Sequence, residues 1–427
     1  MLGGIFPTIG AGAHAAGPAV IAAYVLSGCV SLCVALCYAE FASMVPVAGS
    51  AYTYAYATLG ELVAWVIGWD LILEYGLSLA PTASSLSDYF QHMLANVGIV
   101  LPSWAQTANV HGPHVQIDLF ASIVTLAITL LVAVGIRESA GVNGILVVVQ
   151  IVAMLIFIAA VAHAIRPSNL QPFAPMGYHG ILSSTALVFF AYIGFDTVTV
   201  ASEEAKRPER DVPIGIILAL VLGGILYVAL SVCTLGVVRF DRLSDGAAML
   251  DALGAVSKSH TLYWIVALGG LAGNATVMLT SLLGQVRIFY VMARDRMLPP
   301  GVARIHHVFR TPARMTAITG LVVAVFAAVL PLTELLKLVN IGTLAAFAIV
   351  CAGVLVLRVA NPTAVRPFRA PLLPMFSIAG AAACLYLVTG LELATWIRYG
   401  VWFLVGLAVY ALYGFRNSRL RIGLLEP

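Results

Sequence analysis

The chain has 427 residues, of which 61% are apolar and 10% charged, with a mean hydropathy of +1.00. Soluble domains use about half apolar and about a quarter charged residues. So few ionisable groups could not cover a water-exposed surface, and the solvent for most side chains must be lipid or other helices. A net charge of +3 gives no basis for a nucleic-acid partner.

Apolar runs of about 20 residues, the length that crosses a bilayer, recur from end to end. Eleven full spans are predicted: 19–45, 60–90, 117–136, 142–165, 181–205, 212–237, 262–292, 315–331, 334–357, 373–391 and 396–415. No connection between them could hold a soluble domain, so 1–427 reads as one all-α polytopic membrane domain. Ahead of the first span, Met1 to about His14 is glycine-rich, too short to cross, and lacks the basic leader of a signal peptide. It reads as half a helix.

Within the first span Cys29, Cys33 and Cys37 recur every four residues; packing is the reading, since no histidines cluster with them for a metal. Loop charge sets orientation. Sixteen of the 22 Lys and Arg, among them Arg137, Lys206, Arg294, Arg366 and Arg419, fall in one alternating set of loops. That set and the C-terminus are expected on the cytoplasmic side.

A helix in lipid should be unbroken and uncharged, so exceptions mark function. The first is Leu2-Gly3-Gly4-Ile5-Phe6 with Gly10 and Gly12. In the third helix, Asp70 and Glu74 lie four residues apart on one face; Glu74, nearer the middle, is the functional candidate and Asp70 the brace. The sharpest break is Tyr192-Ile193-Gly194-Phe195-Asp196, where a glycine and a carboxylate sit mid-span, with Glu203 and Glu204 beyond. Neutral polar groups form the last exception: Gln150 in the fifth helix, and Asn274, Thr276, Thr280 and Ser281 in the eighth. For these, hydroxyls bonded to their own helix are an equal alternative. The two glycine breaks each open a set of five helices, the spacing of inverted-repeat transporters. His111 and His114 read as a solvated external pair, and no catalytic constellation, cofactor motif or metal site appears, so no enzyme is expected.

Several segments together resemble the amino acid–polyamine–organocation superfamily, in particular its bacterial branch similar to cationic amino acid transporters. They are Tyr38-Ala39-Glu40-Phe41-Ala42-Ser43-Met44-Val45-Pro46 with Gly49-Ser50-Ala51-Tyr52, Gly68-Trp69-Asp70-Leu71-Ile72-Leu73-Glu74-Tyr75, Arg137-Glu138-Ser139, the Ile193–Asp196 break, and Gly284-Gln285-Val286-Arg287. The resemblance covers nearly the whole chain. It implies a fold like the sodium-coupled leucine transporter (LeuT-like). Residues 1–165 would form a first five-helix repeat lacking the inner half of its first helix, and 181–357 an inverted second repeat. Two further helices would occupy 373–415. It also implies secondary transport of free amino acids by alternating access across the inner (plasma) membrane, as symport or exchange, with arginine or lysine the leading substrate.

By the same resemblance, backbone amides of Gly3, Gly4 and Ile5 would hold the substrate carboxylate and carbonyls of Tyr192 and Ile193 its ammonium. Phe190 or Phe195 would cap the site, beside Gly194, with Asp196 and Glu74 receiving a cationic side chain. Two features depart from the family: the first helix, which lacks its inner half and has Leu2 and Gly3 where the family has Gly followed by Thr, Ser or Ala, and the coupling positions. Gln150 stands where proton-linked members carry a lysine, and Ala275-Thr276 replaces a Thr-Ser pair; with Thr280 and Ser281 these are the coupling-site candidates, and proton or sodium stays open. The registration also puts Met1 near mid-membrane beside Asp196, so the chain is expected to be a shortened form of a longer product. A non-transporting amino acid sensor or inactive homologue is the alternative function.

Overall fold

A bilayer offers backbone N–H and C=O groups no partners, so a chain this apolar must satisfy them within helices. The computed structural model describes residues 1–44, 50–106, 108, 116–135, 139–200, 207–307 and 311–419. Val45–Gly49, the His111 and His114 pair, Arg137, Glu138, Glu203 and Glu204 lie outside the described residues.

Among the described residues the long apolar stretches are helical, with one interruption after α8. The chain starts with a 3₁₀ turn, Leu2–Ile5, followed by α1 (Ile9–Ala16) and α2 (Val20–Met44). Between α1 and α2, Gly17 takes φ +66 and Pro18 lacks an N–H, so the two helices are separate pieces. Next come α3 (Ser50–Thr58), α4 (Glu61–Leu77), α5 (Leu79–Asn96), α6 (Leu119–Val134) and α7 (Ser139–Val161). The second half contains α8 (Gly177–Val188), α9 (Thr197–Val200), α10 (Pro208–Val237), α11 (Ala248–Val256), α12 (His260–Arg294), α13 (Ala313–Val329) and α14 (Leu332–Ala360). The last two long helices are α15 (Leu373–Val388) and α16 (Leu393–Val409).

Among the described residues seven helical stretches are long and apolar enough to cross a membrane, and α6, α13 and α15 are shorter apolar helices. The remaining expected span is interrupted: α8 and α9 flank a non-helical segment. The expected single helix over 60–90 divides at Ser78 into α4 and α5, three residues before Pro81, which cannot donate to the Leu77 carbonyl. Two short helices, α3 and α11, lie in connections where none was anticipated.

The packing brings both breaks to one place. α1 lies along α8, the Leu2–Ile5 turn meets both α12 and the turn after α8, α2 packs on α10, α6 on α13, and α12 on α4, α5 and α7. Small residues allow the closest approaches: a Cβ on Gly269 would sit 2.1 Å from Ala153 Cβ, and one on Gly273 2.2 Å from the Phe6 ring. Such seams let helices associate where no hydrophobic driving force separates them from lipid. Outward faces carry exposed Ile145, Val148, Val152 and Leu155 on α7 and Val401, Leu404 and Leu412 near the C-terminus, as lipid contact requires. Cys33 and Cys37 meet Cys351 and Cys384 where α2, α14 and α15 join; all are free thiols, and the last three are buried.

Candidate functional site

The second break starts where α8 tightens into a 3₁₀ turn, Phe189–Tyr192. Ile193 is extended and Gly194 has φ +106, a backbone that excludes ordinary L-residues, so the helix cannot continue. It resumes at Thr197, whose hydroxyl donates to the Gly194 carbonyl. The first break packs against it without side chains between them: a Cβ on Gly4 would lie 2.8 Å from Ala191 Cα. The Gly4 N–H closes a turn on the Met1 carbonyl at 2.9 Å. Gly3 faces α12, where a Cβ would meet the Gly273 carbonyl at 2.2 Å.

Between the breaks lies a closed pocket of about 20 Å³, room for about one water. Its walls are Met1 and Gly4, Tyr75 and Ser78 at the α4–α5 junction, Phe190, Ile193, Gly194 and Thr197 at the second break, and Val277, Thr280 and Ser281 on α12. Of the residues expected at a binding site, Gly4, Phe190, Ile193, Gly194, Thr280 and Ser281 line it. The others surround it. Ile5 is fully buried; Tyr192 turns away and donates from its hydroxyl to the Tyr24 carbonyl at 2.8 Å; Phe195 packs edge-on to Tyr38.

Both mid-membrane acids are fully buried. Asp196 accepts a hydrogen bond from the Tyr75 hydroxyl and lies within electrostatic range of Glu74 and of the Met1 amine. Glu74 points at the Thr343 hydroxyl of α14. Asp70 is held by the Tyr399 hydroxyl of α16 at 3.1 and 3.2 Å, the bracing role expected of it.

Gln150 is buried on α7, with its Oε1 2.8 Å from where a Gly273 Cβ would be and without a hydrogen-bond partner among the described residues. The hydroxyls of Thr276 and Thr280 return to carbonyls of their own helix, Ala272 at 2.8 Å and Thr276 at 2.9 Å. Asn274 donates across to Ser85 of α5 at 3.1 Å.

A buried cavity lined by two helix breaks is a carrier's geometry, and comparison with known proteins gives the same answer. The amino acid permease model matches residues 1–415. The chain belongs to the amino acid permease family. This permease is 43% identical over 98% of its length to a branched-chain amino acid permease, BcaP, of Bacillus subtilis, covering 90% of that protein. It is 40% identical over 98% of its length to a methylthioribose transporter of the same organism, again covering 90% of the relative. It is 36% identical over 85% of its length to cationic amino acid transporter 4, vacuolar, of Arabidopsis thaliana, covering 62% of it. The permease is a multi-pass membrane transporter of amino acids and not an enzyme.

Tyr75, Ser78, Thr197 and Val277 are the cavity residues that sequence reading missed. Two had a signal. Ser78 lies four residues after Glu74, on one helix face, and Val277 is one turn from Thr280 and Ser281.

Proposed function

We propose that this permease carries free amino acids across the plasma membrane by alternating access, with a neutral aliphatic side chain as the preferred substrate. The observation that carries the substrate class is the cavity wall. Phe190, Ile193 and Val277 are apolar, Tyr75, Ser78, Thr197, Thr280 and Ser281 offer hydroxyls, and neither Glu74 nor Asp196 is among the lining residues. A cationic side chain entering there would meet no carboxylate, and a buried unpaired ammonium is expensive. The relative named a branched-chain amino acid permease supports the same reading. Gly3 and Gly4, at the start of a half-helix, would receive the carboxylate, and carbonyls near Ile193 the ammonium.

A five-plus-five inverted repeat with two added helices accounts for the packing. Helices in matching positions of the two halves pair: α1 with α8, α2 with α10, α5 with α12, α6 with α13. The short helices α3 and α11 also fall at corresponding points. By loop charge the C-terminus is cytoplasmic. Coupling would involve Gln150 and the nearby α12 hydroxyls if it uses an ion at all; an exchanger needs none.

A second reading rests on one observation: Glu74 is a fully buried carboxylate with no ion-pair partner among the described residues, one residue from cavity-lining Tyr75. A rearranged cavity exposing it would take arginine or lysine. Counterflow in proteoliposomes loaded with unlabelled leucine or arginine tests both. Leucine, isoleucine and valine should exchange with labelled leucine while arginine fails to compete; competition by arginine and lysine alone overturns the aliphatic assignment.

A further inference from the structure

The two breaks share a third element. Tyr227 on α10 is fully buried, its ring packed edge-on to Tyr192 at 5.2 Å and tilted against Tyr24 at 5.9 Å. One turn earlier on α10, a Cβ on Gly223 would sit 2.4 Å from Met1 Cε, so the lack of a side chain there lets the N-terminal turn lie against the helix. The Tyr227 hydroxyl is thereby brought between the breaks. It lies 2.9 Å from the Met1 carbonyl oxygen and 2.8 Å from the Ala191 carbonyl oxygen.

A hydroxyl carries one proton, so it donates fully to one of these carbonyls at a time. The two acceptors are not equally supplied. The Met1 carbonyl already accepts the Gly4 N–H at 2.9 Å. The donor that a continuing helix would give the Ala191 carbonyl is the Phe195 N–H, four residues on, and the break at Ile193 and Gly194 removes it. A buried carbonyl left without a donor is costly, so before substrate arrives the proton belongs on Ala191. The neighbouring Tyr24 hydroxyl bridges no such pair; it is matched with the Thr8 hydroxyl at 2.8 Å.

We infer that Tyr227 is a positioning residue that couples the two ends of a bound amino acid, its O–H turning from the Ala191 carbonyl to the Met1 carbonyl as substrate binds. A substrate carboxylate that takes the Gly4 N–H leaves the Met1 carbonyl short of a donor. The hydroxyl turns to it, and the Ala191 carbonyl is released to the substrate ammonium. An amine alone must displace the hydroxyl from Ala191, and an acid alone leaves Ala191 without a donor; a zwitterion satisfies every group. The device selects molecules that carry both charges side by side. It deepens the proposed function and rests on its placement of the carboxylate at the first break and the ammonium at the second.

The test is displacement of labelled leucine from the purified full-length permease by isoamylamine, which lacks the carboxylate, and by 4-methylpentanoate, which lacks the ammonium. Tyr227→Phe keeps the ring and deletes the hydroxyl. The Ala191 carbonyl is then already free, so isoamylamine should compete at least threefold better. Neither carbonyl can be rescued when an acid takes the Gly4 N–H, so 4-methylpentanoate should compete at least threefold worse. A residue that only stabilised the fold would move both competitors together, as Tyr24→Phe should. Should Tyr227→Phe not yield monodisperse protein, 3-fluorotyrosine at position 227, a stronger donor of nearly the same size, should make isoamylamine compete worse. Shifts in the same direction, or below threefold, in Tyr227→Phe overturn the inference, as does an unchanged or improved amine with fluorotyrosine. Opposite shifts of equal size in Tyr24→Phe overturn the assignment to Tyr227. Failure of the wild-type protein to bind leucine overturns the inference together with the site. Opposite shifts in Tyr227→Phe, in a protein that shows no leucine counterflow, support the coupling and overturn the carrier reading alone.

Discussion

Replacing Gly194 with alanine isolates what the second break does. At φ +106 an L-residue sits in sparsely populated backbone space, at a cost of order 1–3 kcal/mol. The added Cβ would also lie 3.3 Å from the Met1 nitrogen and 3.6 Å from its Cα, so the first break must shift slightly as well. A cost of about 1–3 kcal/mol corresponds to a roughly 5- to 150-fold smaller fraction of molecules holding the break in its binding geometry, and apparent affinity falls by that fraction. Gly60 supplies the control: its φ is +95, nothing lies within 4 Å of its missing Cβ, and it caps the start of α4 away from the cavity. Saturation curves for leucine uptake in proteoliposomes, with melting temperatures, should show Gly194→Ala raising KM at least fivefold. Gly60→Ala should lower the melting temperature without that change. A KM within twofold of wild type for Gly194→Ala, or an equal rise for Gly60→Ala, would refute the argument.

Glu74→Gln keeps shape and removes charge, so if this acid reads a cationic side chain, arginine uptake falls at least tenfold while leucine is spared; equal changes by the two-substrate assay remove Glu74 from recognition. Tyr399→Phe deletes the hydroxyl that holds Asp70, and a typical hydrogen bond contributes about 0.5–1.5 kcal/mol. Its melting temperature should drop while leucine KM stays within twofold. Burial acts to raise the Asp251 carboxyl, but bonds from His92 and from the amide and hydroxyl of Ser244 outweigh it and hold the group below the usual carboxylate range. Its stabilisation is present above the unfolded value near 3.9 and is lost as pH falls through the lower folded value. Partly exposed, the pair is worth about 1 kcal/mol at most. Melting temperatures from pH 6 down to 3 should fall less steeply in Asp251→Asn than in wild type.

Composition and periodicity decided that this chain is a membrane bundle, since no arrangement in water could cover so apolar a surface with so few charges. The second break was equally legible: Gly194 next to Asp196 within an apolar run violates the rules of a lipid-facing helix whatever surrounds it. Local chemistry also marked Asp70 and Glu74 as costly groups in need of an explanation. What each carboxylate faces was a matter of tertiary packing. Positions 70 and 74 share one face of α4, yet Asp70 meets α16 and Glu74 lies beside α14, while the adjacent Tyr75 reaches Asp196. The same holds for the cavity wall. Ser78 and Val277 are ordinary residues in sequence, and they line the site only because the glycine seam of α12 lets the N-terminal turn approach between α12 and the α4–α5 junction. Helix formation is written in local spacing; which helix faces meet depends on contacts between residues hundreds of positions apart, and a single chain read without its partners does not contain them.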